Sequence, residues 1–202
     1  MDLKYYHPFD YEKRITKEYQ ANGVHYASDM DDLEKIANIF NATIRMTKDE
    51  TRIYYDDDFA LIYLNAYANE TTLRLNFFHE LGHHLLHVGD QNTLPESFNQ
   101  LQERQASHFQ LYAAMPAFLL EEFKYIENRT TYTKVLSEEF KLPIPFVEKR
   151  IKQIERRIQQ FKFDQDLNAK PVPIEYDYSP ETRRILAQLH RQVSAKGVNN
   201  LG

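Results

Sequence analysis

The chain contains no cysteine. That single absence excludes disulfides, thiolate-ligated zinc, iron–sulfur clusters and a thiol nucleophile. No apolar run approaches the ~18 residues that a membrane-spanning helix needs. The opening MDLKYYHPFDYEKR also lacks the apolar stretch of a secretory leader. A soluble, cytoplasmic protein is therefore the expectation. Positive charge is not in excess: 25 Lys and Arg stand against 30 Asp and Glu, a net charge of −5. That balance argues against a chain built mainly to grip nucleic acid. There is no repeat at a solenoid period and no low-complexity tract. What is present is 202 residues, 42% hydrophobic and 27% charged, enough for one ordinary core with or without an appendage.

The hydrophobic pattern predicts an α+β chain. A helix is expected after Pro8-Phe9-Asp10, running to about Gln20 and stopped by Ala21-Asn22-Gly23. A second should begin at Ser28 or Asp29, with Leu33, Ile36, Ala37 and Phe40 on its buried face. Three short strands follow at 42–46, 52–55 and 60–65, with Tyr55 to Phe59 as the turn between the last two. Helices are then expected at 71–88, 95–114, 131–140 and 145–161. Pro171 and Pro173 mark 164–178 as an extended linker. Ser179-Pro180-Glu181 starts a last helix, whose stripe of Ile185, Leu186, Leu189 and Val193 is expected to dock on the body. Residues 1–163, including a helical subregion 131–163, are thus expected to form one domain, and 164–202 a linker and C-terminal helix.

Eight histidines remain to be explained, and five of them lie between His79 and His108. His79-Glu80-Leu81-Gly82-His83 is an H-E-x-x-H sequence. Histidines four residues apart lie on one helical face about one turn apart, so both imidazoles can reach one ion. Glu80 stands about 100° round the helix, where it can hold a water beside that ion. Phe77, Leu81, Leu85 and Val88 gather on one side of the helix, while His79, Glu80, His83 and His87 share the other. A catalytic zinc needs three protein ligands and an open position. His87 lies about 12 Å along a straight helix from His79, too far to share the ion. His84 points away, so the third ligand must come from another segment. Glu103 leads, because the small Ala106 three residues on would let its helix pack closely on the metal helix; Glu96 and Asp90 are the alternatives.

These residues carry a resemblance. His79-Glu80-Leu81-Gly82-His83 with Leu85-Leu86-His87 resembles the H-E-L-G-H-x-L-L-H core of the ImmA/IrrE family of metallopeptidases. That family's second block, E-x-x-A-N-x-F-A-x-x-L-L-M-P, is matched by Glu103, Ala106, Phe109, Met115 and Pro116. In order and spacing the resemblance covers roughly residues 29 to 160. It implies a minimal zincin-like fold, a small three-stranded sheet in mostly helical surroundings, extended here by a C-terminal helix. It also implies one zinc ion held by His79, His83 and Glu103, with Glu80 as catalytic base. Two positions depart from the pattern: Ser107 replaces Asn, and Gln110 replaces Ala. The first matters because that position is placed to orient a ligating histidine.

On this reading the chain is a zinc metalloendopeptidase. Zinc lowers the pKa of a water to about 7, and Glu80 takes its proton during attack on a peptide carbonyl. Ser107, His108, Tyr112 and His87 are the candidates for supporting a ligand or for donating to the oxyanion. The substrate is expected to add as a strand to 60–65. The resemblance implies a helix-turn-helix transcriptional repressor as that substrate, cleaved to derepress a phage, a mobile element or a stress response. The rival class is a non-proteolytic regulator that binds repressor or DNA and keeps the metal as structure. Residues 133–163, with seven Lys or Arg between 141 and 163, could pass for a helix-turn-helix. The bland alternative is an amphipathic helix with a solvated basic face, or one that meets an acidic partner. An intact Glu80 argues against a purely structural metal, which has no use for a base beside its ligands.

Overall fold

The computed structural model describes residues 3–56, 58–87, 95–169 and 178–198, the side chains of 168–169 and 194–198 excepted. Among these residues the architecture is α+β, with seven α-helices and one three-stranded sheet. Helix α1 (Asp10–Ala21) ends where Gly23 takes φ 74°, a left-handed conformation that glycine adopts without a Cβ clash. The next helix starts later than expected. Asp29 accepts the backbone N–H groups of His25 and Tyr26 and closes a 3₁₀ turn, Ala27–Met30. Helix α2 (Leu33–Ile39) is capped instead by Asp32, whose carboxylate accepts Lys35 N–H at 3.0 Å. Several acidic residues compete for the cap here, and spacing alone does not choose among them.

The sheet comprises β1 (Ala42–Thr47), β2 (Arg52–Tyr55) and β3 (Ala60–Asn65) in the order β1-β3-β2. β1 and β3 are parallel, and β2 and β3 antiparallel. The tight return between β2 and β3 is held by Asp56, whose carboxylate accepts the N–H groups of Asp58 and Phe59. β3 is therefore the central strand and cannot accept a further strand, which corrects the expectation that 60–65 is an edge. Its alternating burial, with Ala60, Ile62 and Leu64 fully covered, suits the middle of a small sheet. Among the described residues the open edges belong to β1 and β2.

Helices α3 (Glu70–Leu86) and α4 (Glu96–Ala114) pack against each other and carry the candidate site residues. Asn69 caps α3 by accepting Thr72 N–H at 2.8 Å. Phe77, Phe78 and Leu81 are buried in the core, each contributing on the order of 2 kcal/mol. Leu85, expected on that apolar side, is partly exposed instead, because the last turn of α3 outruns the core; Val88 lies outside the described residues. A 3₁₀ segment (Ala117–Phe123), α5 (Arg129–Glu139) and α6 (Ile144–Ala169) follow. Val147, Ile151, Ile154 and Ile158 of α6 are buried, while Lys149, Lys152 and Arg156 are exposed. α6 runs through 164–169, which were expected to be extended. No proline or glycine stands before Pro171 to stop it, and 170–177 lie outside the described residues.

The chain divides into two compact units, Met1–Asp164 and Gln165–Gly202. In the second, α7 (Pro180–Val198) begins at Ser179, whose hydroxyl accepts Thr182 N–H. Its Ile185, Leu186, Leu189 and Val193 are exposed. No helix among the described residues is long and apolar enough to cross a membrane.

Candidate metal centre

Glycine and alanine create the site before any ligand does. Where α3 crosses α4, a Cβ built on Gly82 would lie 3.1 Å from Ala106 Cα and 3.1 Å from Phe109 Cδ1. A glycine facing the small Ala106 permits so close an approach of two helix backbones. Gln110, the departure from the family's alanine, strengthens the same joint by donating to the carbonyl oxygen of Leu75 at 2.7 Å. With the helices this near, a side chain from α4 reaches the histidine face of α3.

Three ligand-type side chains meet there. His79 Nε2 lies 3.1 Å from Glu103 Oε2, and His83 Nε2 lies 3.3 Å from Glu103 Oε1. The two Nε2 atoms are 3.2 Å apart. One ligand atom from each residue falls within 4.8 Å of the others, so the group could hold a metal ion. The chemistry of the set fits. Two imidazole nitrogens aimed at each other repel unless a proton or a cation lies between them, and burial lowers the pKa of His83 to about 4, leaving its ring neutral with a lone pair to offer. Glu103 faces the two histidines from the exposed rim. Glu96 instead accepts from Gln100 within its own helix, and Asp90 lies outside the described residues.

Glu80 is half-buried beside this group. Burial, with the negative charge of Glu103 as second cause, raises its carboxyl to about 7. A carboxyl poised near neutrality can both take and give a proton. One and two turns upstream on the same face, Asn76 and Thr72 help line an open cavity of about 430 Å³ with Glu50, Thr51 and Asn65. Asn76 donates to Thr51 Oγ1 at the start of β2, and the Tyr55 ring at its other end packs edge-on against His84. The β2 edge thus runs beside α3.

The remaining candidates separate. His87 follows the last residue of α3 with an extended backbone, and its ring is held between His83 and Gln105. Ser107 is half-buried on α4, whereas His108 is exposed, about 140° round that helix from Glu103. Tyr112 is not brought to the group at all. It lies in the core, where its hydroxyl accepts from Gln153 and its ring meets Tyr11 and the Arg150 guanidinium. His84 bonds the carbonyl of Phe40. Gln105 escaped the sequence reading altogether, since two residues after Glu103 it stands about 200° away on the helix and only the end of α3 brings a partner to it.

Residues 37–152, which contain the sheet, α3, α4 and the start of α6, match the family model described as Peptidase_M78, IrrE N-terminal-like domain. The chain is also similar to the phage-like element PBSX protein XkdA of Bacillus subtilis (strain 168), 28% identical over 115 residues. That match covers 57% of this chain and 58% of the relative, so the chain spans less than two thirds of the length of that protein. With more than half of its residues inside the family model, the chain belongs to the IrrE N-terminal-like peptidase family.

Proposed function

We propose that the protein is a zinc-dependent endopeptidase that cleaves a helix-turn-helix transcriptional repressor at a specific bond and so derepresses a phage, a mobile element or a stress response. The observation that carries this is the convergence of His79 Nε2, His83 Nε2 and the Glu103 carboxylate, with Glu80 on the same helix face. Family membership supports a peptidase-like activity, and the similarity to a phage-element protein supports the setting.

In this reading His79, His83 and Glu103 hold the zinc. The ion supplies a Lewis acid and brings the pKa of water toward 7 when bound. Glu80 accepts the water proton on its carboxylate and delivers it to the leaving nitrogen. The substrate lies extended along β2, the open edge that runs beside α3, with main-chain hydrogen bonds to that strand. The cavity lined by Asn76 and Thr72 receives side chains of the same extended segment. The basic face of α6 is a solvated surface and not a DNA reader, in keeping with the negative net charge.

The test is to incubate the full chain with a repressor encoded beside it, with and without chelator, and to sequence any new N-terminus. One discrete, chelator-sensitive cut is expected. An intact repressor in the presence of zinc-loaded protein would end the reading.

A further inference from the structure

His83 has a second ring nitrogen, and it is engaged. Its Nδ1 lies 3.1 Å from Nδ1 of His87, and Nε2 of His87 lies 3.1 Å from Oε1 of Gln105. His83 and His87 are both buried, at 3% and 6% exposure, so solvent does not substitute freely for the contact between them, while Gln105 meets His87 from an exposed position on α4. A neutral imidazole carries one proton, so these two contacts cannot be arranged independently. The Gln105 oxygen accepts only, which places the proton of His87 on Nε2. His87 Nδ1 is then a lone pair, which requires that His83 donate from Nδ1–H. The proton of His83 is thereby held on the side away from Glu103, and its Nε2 faces His79 and Glu103 as a lone pair.

We infer that Gln105 and His87 form a tautomer relay that fixes His83 in its Nδ1–H form and points its Nε2 lone pair into the metal group. His87 is a positioning residue, and Gln105 sets the direction of the relay. The inference rests on the metal-centre reading above for its purpose, though not for its geometry. The partner on His83 Nδ1 is an imidazole from the end of α3. The partner on a metal-ligating histidine's other nitrogen is ordinarily a carboxylate, a carbonyl or water. A histidine in that place needs its own tautomer fixed, and Gln105 does that.

Two measurements on the full chain test this. A proton–nitrogen correlation spectrum of the imidazole rings in metal-free protein should find His83 as the Nδ1–H tautomer and His87 as the Nε2–H tautomer. His83 found as Nε2–H would overturn the relay, with no variant needed. Zinc affinity by chelator competition should fall about 10- to 100-fold in His87→Ala. It should recover substantially in His87→Gln, whose side-chain oxygen is again an acceptor. A merely structural role predicts a lower unfolding temperature with unchanged zinc affinity in both variants, and that outcome would also overturn the inference. If wild type binds no zinc, the metal-centre reading fails while the tautomer spectrum still decides the relay. If wild type binds zinc and both variants match it, the relay fails and the metal centre stands.

Discussion

At the scale of single residues, Glu80 carries the sharpest expectations. Glutamine is nearly isosteric with glutamate but accepts no proton at neutral pH, so Glu80→Gln should keep metal and fold while cleavage falls about 10²- to 10⁴-fold. Full derepression of a reporter promoter by the variant would leave a metal-stabilised binding protein in place of a protease. The same residue shapes stability. Burial raises its carboxyl from 4.5 to about 7 in the metal-free fold. A carboxyl raised on folding costs stability as pH climbs from the unfolded value through the folded one, because the unfolded chain releases its proton first. Burial also lowers His83 from 6.5 to about 4 and lowers His84 and His87. Those neutral rings contribute stability above the unfolded value that is lost as pH falls toward the folded one. The two trends oppose each other between about pH 4.5 and 6.5. Glu80→Gln removes one of them, so the metal-free variant should gain on wild type as pH rises from 4.5 to 7. The gain is at most about 3 kcal/mol by urea midpoints. A difference that does not change with pH would mean that Glu80 titrates as an ordinary carboxylate.

At the scale of elements, the crossing of α3 and α4 sets the ligand distances, because His79 and His83 ride on one helix and Glu103 on the other. Gly82→Ala places a methyl 3.1 Å from Ala106 Cα, so the helices must part by a few tenths of an ångström. A loss of about 1–3 kcal/mol in the metal-free protein follows from overpacking. Zinc affinity should drop with it, since Glu103 is carried outward. Calorimetry and a zinc titration on one sample check both. Reduced stability with unchanged affinity would show that Glu103 reaches the site by its own flexibility and not by helix placement. The sheet teaches a related lesson. The three strand segments were legible from their composition, yet the choice of the centre was not, because pairing partners are fixed by the crossover between β1 and β3 and not by the order of strands along the chain.

At the scale of the whole molecule, one buried ion pair ties distant segments of the larger unit together. Arg150 of α6 is fully buried and bonds Glu12 of α1 at 2.5 Å, the Met115 carbonyl after α4 at 3.0 Å, and the Tyr6 hydroxyl at 3.3 Å. Tyr6 in turn donates to the other Glu12 oxygen at 2.6 Å. Removing one partner strands a buried charge. Arg150→Ala should therefore cost about 3–5 kcal/mol in urea unfolding, and the double replacement Arg150→Met with Glu12→Leu should cost less than either single change. A double variant no better than the single ones would mean that the hydrogen bonds to Met115 and Tyr6, and not the stranded charge, dominate. This pair also explains why the basic count of α6 overstated its surface charge: one of its arginines belongs to the core.

The sequence by itself determined the local features: the period of each helix, the strand segments, and the H-E-x-x-H face on which two histidines must share a side. Those follow from the geometry of one helical turn, which is the same in any fold. It also nominated Glu103, because a small residue three positions later signals a close helix crossing. Only the tertiary structure decided what crosses between segments. It put β3 in the middle of the sheet, turned Tyr112 inward to Arg150, carried α6 past the expected linker start, and set His87 on the far nitrogen of His83 with Gln105 behind it. The physical reason is the same each time. A hydrogen bond or a packed contact between residues far apart in the chain depends on how whole elements stack, and no short stretch of sequence encodes that stacking.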